Sequence, residues 1–526
     1  MELFEGKNII GFSDAFSVTK CMNGFNPATG KVLEGDFHVA SDEDIENALS
    51  LATKAAPFYG NMPATRRAEF LRQIAEEILA LDDTLIQRAS AESGLPNGRF
   101  VGERGRTVGQ LRLFADWIET GSWVEASIDY ANPERKPMPK VDIRKMLEAV
   151  GPVVVFTASN FPLAFSTAGG DTAAALAAGC PVIVKAHESH LGTNALVAGA
   201  IREAAKKTNM PEGVFSSLVG EGHDLGQTLV LDARVQSVAF TGSLRGGKAL
   251  YDLAAGRKNP IPVFSEMGSV NPMLMLPSSI EREDMAVQVA NSVTMGQGQF
   301  CTNPGLLFLV DSEKSRAFQK ELVEKFEEKS GSTMLNSGIA ANYHKMVEQT
   351  QKQSGVQLLG QGKGDDNTVN SSVPYCAVTS GKAFLANPLL HEEVFGPFTM
   401  TIVCSDVDEL NEAIDCLEGQ LTSSIWGNED ELATFAHSAN LLKSKSGRIV
   451  FNNVPTGVEV CHSMHHGGPY PATTDSRFTS VGMDAIKRFG RPVCYQNWPA
   501  SQLPDALKDG NPLKIARRED GEIVTP

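Results

Sequence analysis

A cysteine that does covalent chemistry needs an accessible sulfur, a base to take its proton, and donors to receive the charge its attack creates. One of the eight cysteines, Cys301, stands where this is conceivable. It lies in residues 296–305, "GQGQFCTNPG", among glycines and amides rather than in an apolar run. An ordinary loop cysteine would look the same, so its chemistry depends on distant partners. Glu266, in "PVFSEMGSVNP", follows a short apolar run and precedes Met267-Gly268-Ser269. That puts a carboxylate at a strand end, where α/β proteins place working groups, although a solvated loop carboxylate reads alike. Asn160, in "TASNFPLAF", ends the apolar run 153–156, and its amide is either a turn-forming group or an oxyanion donor. In "CHSMHHGG", His462, His465 and His466 cluster without an acidic or thiolate partner at ligand spacing. The segment therefore reads as the rim of a site, with no metal bound.

The elements that must position these groups change character along the chain. "SDEDIENALSLATKAAPFYG" opens on Ser41 and Asp44, a near relative of the capping box, and runs on with helical spacing. Two more amphipathic helices follow in "PATRRAEFLRQIAEEILALDDTLIQRASAESGLP", and another in "RTVGQLRLFADWIETG", closed by Gly121. Residues 122–150 alternate polar and apolar side chains around a Pro-rich turn, the pattern of a long hairpin. From Ala149 onward buried strands ("AVGPVVVFTAS", "PVIVKA", "VQSVAFTGS") alternate with helices ("DTAAALAAGC", "NALVAGAIREAAKKTNM"), which predicts βαβ units and a mostly parallel sheet. A second α/β series runs from "NPMLMLP" to "GRIVFNN". "GRPVCYQNW" reads as an isolated strand, and the polar tail after it as mobile.

Length and charge narrow the classes. At 526 residues the chain needs more than one core. A net charge of −16 argues against nucleic acid or an anionic membrane surface as partner. The start, "MELFEGKNIIGFSD", lacks the basic and long apolar regions of a secretory signal, and no apolar run is long enough to span a bilayer. Scattered cysteines without C-x-x-C pairs fit reduced thiols, so the expected setting is cytoplasmic.

Taken together, "NFP" at 160–162, Lys185, "FTGS" at 240–243, "EMG" at 266–268, a cysteine about 35 residues later and "EEVFGP" at 392–397 resemble, in order and spacing, the NAD(P)-dependent aldehyde dehydrogenase superfamily. The resemblance covers nearly the whole chain. It implies an α/β fold of two parallel-sheet domains plus a small β oligomerisation ribbon. On this reading residues 1–122 and 148–265 bind NAD(P), 266–465 are catalytic, and 123–147 with 485–500 form the ribbon of a homodimer or homotetramer.

The resemblance also implies roles. Cys301 would be the nucleophile toward an aldehyde, Asn160 with the Cys301 N–H the oxyanion hole, and Glu266 the general base. Lys185, Glu188, Gly242, Ser243, Glu393 and Phe395 would hold NADP or NAD, with Thr157, Ser159, Gly220 and Gly268 around it. No G-x-G-x-x-G follows a strand, so "FTGSLRGG" takes the phosphate role. Departures from the common pattern (Ser159 in place of tryptophan, "KAHE", "EMGS" and the late "HHGGPYPATTDSRFTSVG") are similar to a subgroup of bacterial 2-oxoglutarate-semialdehyde dehydrogenases and an NADP-dependent long-chain aldehyde dehydrogenase. The first activity is ranked above the second. For a substrate carboxylate, Arg104, Arg106, Gln297 and Gln299 are candidates, with Phe161 and Thr302 beside them; exposed helix arginines would read the same way. A coenzyme-A-acylating enzyme is disfavoured by Glu266, and a non-catalytic relative by the retention of Cys301, Glu266 and Asn160. A cofactor-free cysteine hydrolase is set aside because no histidine sits in a base-like motif.

Overall fold

The computed structural model describes residues 5–15 and 20–525; the first four residues of "MELFEGKNIIGFSD" lie outside it. After short strands between residues 5 and 38, four helices follow in succession: Asp42–Gly60, Ala64–Ala80, Asp82–Ser93 and Asn97–Glu119. The first is closed at its N-terminus by the anticipated capping box, with Ser41 and Asp44 each accepting from the other's backbone N–H.

The first seven-stranded sheet runs, in spatial order, Val263–Glu266, Ser237–Thr241, Val153–Phe156, Val182–Lys185, Phe215–Leu218, Asn8–Ile10 and Ser13–Ala15. The first five strands are parallel and the last two antiparallel. Parallel strands are covered on both faces, which is why 153–155 and 182–184 are wholly apolar and buried. One covering element, the helix Gly170–Ala178, has every residue buried; alanines let it sit that close.

The chain winds outward from Val153–Phe156 to one side and later returns to the other, so the order reverses beside that strand. Because these strands point the same way, their carboxyl ends share one edge. Asn160, Lys185, Gly242 and Glu266 all lie just beyond or at those ends, at the switch point where such sheets form a crevice.

The second seven-stranded sheet has the order Gln357–Gln361, Tyr375–Ser380, Phe398–Cys404, Leu306–Val310, Met273–Met275, Gln420–Trp426 and Ser446–Phe451, parallel except for the first pair. Cys301 precedes the central strand Leu306–Val310, so this sheet delivers the cysteine from its amino edge. A backbone bridge between Glu266 and Thr473 and the bond from Met267 N–H to Ala472 O (2.8 Å) tie the end of Val263–Glu266 to the segment after Ser446–Phe451.

In a separate sheet Gly490–Gln496 pairs with Ile143–Ala149, which pairs with Ser127–Asp129. The tail does not hang free. Arg517–Glu519 and Glu522–Val524 extend this sheet, and the buried Arg517 is satisfied by Glu519 and by the carbonyls of Ala506 and Lys508. Polarity misled here because an edge hairpin needs few apolar residues when its backbone is paired.

Candidate active site

The cysteine loop is built on left-handed backbone. Gly296, Gln297 and Gly298 have φ of 56°, 58° and 64°. At Gly298 a Cβ would lie 2.1 Å from the carbonyl oxygen of Gly396, so only glycine fits. Gln297 holds the same conformation because its side-chain oxygen accepts from Ser332 N–H (2.9 Å) and Ser372 Oγ (2.8 Å). Gln299 is likewise consumed: its oxygen accepts from Leu335 N–H at 3.0 Å and its amide donates to Gly296 O at 3.2 Å. The side-chain oxygens of both glutamines thus brace the loop. Below the cysteine, Asn271 Nδ2 donates to the carbonyls of Cys301 (2.8 Å) and Asn303 (3.0 Å), which fixes the bend. Thr302 is 1% exposed at the same bend.

Asn160 meets this loop directly, its Nδ2 donating to Gln299 O at 3.0 Å. An amide has two N–H groups, so the second remains available beside Cys301. The turn that carries it is held from the helix Asn97–Glu119. Buried Glu103 accepts from the N–H groups of Leu163 (2.8 Å) and Ala164 (3.0 Å), and Arg99 pairs with Glu103 at 3.2 Å. Arg99, Glu103 and Arg106 share one helix face, being four and three residues apart. Arg104 is one residue off Glu103, about 100° around the helix, and its guanidinium turns away to Asp82 O at 3.0 Å. Asp82 Oδ1, 4.0 Å away, is its nearest carboxylate.

The base is more elaborate than the sequence indicated. His466 Nε2 is aligned on Cys301 Sγ at 3.4 Å and stands 2.9 Å from Glu266 Oε1. The carboxylate contact lacks hydrogen-bond alignment, which leaves the buried Oε1 without a hydrogen-bond donor. The one Ser480 hydroxyl proton is shared between the other oxygen, Oε2, and His466 O (3.0 Å), while the His466 backbone N–H donates to Thr479 Oγ1 at 2.8 Å. Donor atoms of Glu266, Cys301 and His466 lie within 4.8 Å of one another, metal-like spacing with no fourth protein donor identified among the described residues. Reading residues 461–468 as a mere rim, and setting aside a histidine base, is corrected by this contact. No motif announced it, because His466 and Ser480 come to Cys301 from far along the chain.

Burial and the Glu266 charge push the Cys301 thiol well above its ordinary range, so the resting group is a thiol. Burial alone would raise Glu266, but His466 and the Ser480 hydroxyl outweigh it and hold the carboxyl below its usual value. Arg106 and its charge lie near enough to favour the thiolate.

The other anticipated positions line the crevice. Lys185 Nζ is 3.8 Å from Glu188 Oε1, and Glu188 also accepts from Gly222 N–H at 2.9 Å. Thr157 Oγ1 donates to Lys185 O at 3.2 Å, and Ser159 is half-buried beyond it. Gly242 N–H donates to Glu266 O (3.0 Å), and Ser243 caps the helix Leu244–Ala255 through Gly246 N–H. At Gly220 a Cβ would strike Leu225 at 2.5 Å; at Gly268 it would come within 2.4 Å of Glu393 Oε2. Glu393 and Phe395 line a pocket with Ser269, Val270, Gly298 and Asn303, and burial pushes the Glu393 carboxyl up to about 7. This is a cradle a dinucleotide fits: a helix N-terminus for phosphate, a lysine and a carboxylate at one strand end, and a buried carboxylate against glycine backbone.

The site thus brings together a thiol, an imidazole and a carboxylate at the strand-end edge that also carries Asn160, Lys185 and Gly242. The chain belongs to the Aldehyde dehydrogenase family, whose sequence profile matches residues 14–480. It is an aldehyde-oxidising enzyme of a family that generally uses NAD(P). It is 46% identical over 520 residues to an alpha-ketoglutaric semialdehyde dehydrogenase 2 of Azospirillum brasilense, covering 98% of this chain and 99% of that one. It is 44% identical to an alpha-ketoglutaric semialdehyde dehydrogenase of Acinetobacter baylyi, covering 93% of each. Among solved structures, aldehyde dehydrogenase 21 of Physcomitrella patens superposes with a TM-score of 0.80 at 19% identity, over 96% of this chain and all of that one. No helix among the described residues is long and apolar enough to cross a membrane.

Proposed function

We propose that this chain oxidises 2-oxoglutarate semialdehyde to 2-oxoglutarate with NAD or NADP, through a thiohemiacetal and then a thioester on Cys301. The observation that carries the chemistry is His466 Nε2 set between Cys301 Sγ and Glu266 Oε1; the substrate follows from the two relatives of 44–46% identity.

Glu266 Oε1, a buried acceptor without a donor, takes the thiol proton directly or by way of the imidazole. The sulfur then bonds to the aldehyde carbon, and the carbonyl oxygen becomes an oxyanion met by the second Asn160 N–H and the Cys301 N–H. Bound NAD(P) supplies the hydride acceptor. Lys185, Glu188, Ser243 and the helix it caps, Gly268, Glu393 and Phe395 would hold it. After loss of hydride the carbon is a thioester carbon on Cys301. Glu266, relieved of its proton, draws a proton from water; the hydroxide bonds to that carbon, the C–S bond breaks, and the thiol is restored as the acid leaves. The division into an NAD(P)-binding part (1–122, 148–265), a catalytic part (266–465) and an oligomerisation ribbon (123–147, 485–500) belongs to the same proposal, as does a homodimer or homotetramer in the cytoplasm. The exposed Met138, Ile523 and Trp498 near that ribbon favour self-association.

A cysteine hydrolase now has the histidine it was thought to lack, but the dinucleotide cradle and the family set it aside. The test is the absorbance of reduced nicotinamide on mixing enzyme, 2-oxoglutarate semialdehyde and either cofactor. Turnover with kcat/KM well above that for simple alkanals is expected; preference for long alkanals would replace this reading with the long-chain enzyme.

A further inference from the structure

Four arginines of this chain take carboxylates in one fixed way. Arg144, Arg234, Arg282 and Arg477 each present the edge formed by Nε and Nη2 to both oxygens of an aspartate, Asp142, Asp232, Asp284 and Asp475. This side-on fork is the strong, planar form of arginine–carboxylate recognition. Arg106 has the same edge and nothing on it. Its Nη1 donates to Val458 O, but Nε and Nη2 are shut off from solvent with no hydrogen-bond partner. Glu103 and Glu459 act on it only at a distance, and no ion pair is formed with it among the described residues. A half-buried guanidinium with an empty fork is costly unless an anion arrives.

Its position says which anion. The guanidinium lies over the Phe165 ring (5.5 Å), Phe165 touches Phe161 (ring centroids 5.2 Å), and Phe161 touches Phe300 (5.3 Å), the neighbour of Cys301. Aromatic walls thus run from the nucleophile to the fork. Arg99, which lies over both Phe161 and Phe300 at 4.4 and 4.9 Å, has its Nε–Nη2 edge taken by Glu103 (3.2 Å) and Asn160 O (3.4 Å). Next to Val458, Gly457 is exposed, with φ of 95° and nothing within 4 Å of where a Cβ would stand.

Resting on the function proposed above, we infer that Arg106 receives the carboxylate at the far end of the aldehyde substrate through its Nε–Nη2 edge, and so selects acid-terminated aldehydes over alkanals of equal length.

The test compares kcat/KM for 2-oxoglutarate semialdehyde with that for pentanal in the wild type, Arg106→Gln, Arg106→Lys and Arg104→Gln. Arg106→Gln is expected to lower the ratio of the two about 100-fold, mainly through KM for the acid-terminated aldehyde. Arg106→Lys recovers part of it, having charge without the fork, and Arg104→Gln leaves it unchanged. A ratio is immune to a general loss of folded enzyme, since both substrates then suffer alike. An unchanged ratio in Arg106→Gln overturns the inference, whatever the absolute rates. If the wild type ignores 2-oxoglutarate semialdehyde but prefers another carboxylated aldehyde, the proposed substrate fails and the ratio is read with that aldehyde. A wild-type preference for pentanal over every carboxylated aldehyde sinks both. As a second readout, 2-oxoglutarate should slow alkylation of Cys301 by iodoacetamide in the wild type and not in Arg106→Gln; equal protection in both counts against the fork.

Discussion

Replacing His466 by leucine keeps the volume roughly constant and removes the nitrogen between sulfur and carboxylate. Two consequences follow from the contacts. The thiol loses its 3.4 Å partner, and Glu266, 3% exposed, keeps only the Ser480 hydroxyl as donor. In the native protein His466 is the largest influence holding the Glu266 carboxyl down against burial. Without it burial wins and the carboxyl rises. The sign is then fixed: Glu266 must be ionised to act as base, so native activity should persist into the acid range below the ordinary carboxylate value, and the acid limb of the variant's kcat profile should move to higher pH. Removing the imidazole that offsets the burial of this carboxylate is worth about 1–3 kcal/mol, or roughly 5- to 150-fold in kcat at neutral pH. The assay is a pH–rate profile of both proteins under saturating cofactor, with circular dichroism to establish that the variant is folded. An unshifted acid limb with a rate within about twofold of the wild type would show that the imidazole is only a neighbour.

Other expectations are simpler. Asn160→Ala should lower kcat about 100- to 1,000-fold while leaving Cys301 open to alkylation by iodoacetamide; an unaltered kcat would remove the amide from the oxyanion hole. Gly298→Ala must push a methyl into Gly396 O and hold an alanine at positive φ, so it should unfold several degrees lower in calorimetry and lose activity with it. Glu188→Gln removes the negative charge beside Lys185, and kcat/KM with NADP relative to NAD should rise about tenfold; a fall would mean the carboxylate does not face the ribose.

The sheets were legible because buried parallel strands leave continuous β-branched runs such as "VVVF" and "VIVK", and the strand ends then located Asn160, Lys185 and Glu266. Cys301 was legible as a cysteine in a glycine-flanked loop. What escaped were side chains whose role exists only after the chain folds back. His466, Ser480 and Glu103 carry no local signature, since their partners are distant in sequence. The bracing role of Gln297 and Gln299 escaped for the opposite reason. They are near the cysteine in sequence, yet the three left-handed residues turn their amides into the protein. The tail was misjudged because backbone pairing, which leaves little trace in composition, is what holds it.

The central claim is that Cys301 carries the acyl group and Glu266 releases it. Glu266→Gln enzyme mixed with 2-oxoglutarate semialdehyde and cofactor, followed by stopped-flow absorbance and by mass spectrometry of the quenched protein, tests it most directly. The account predicts a burst of about one reduced nicotinamide per active site, slow turnover afterwards, and a five-carbon acyl adduct on the peptide containing Cys301. Steady turnover with no adduct, or an adduct on any other residue, would contradict it.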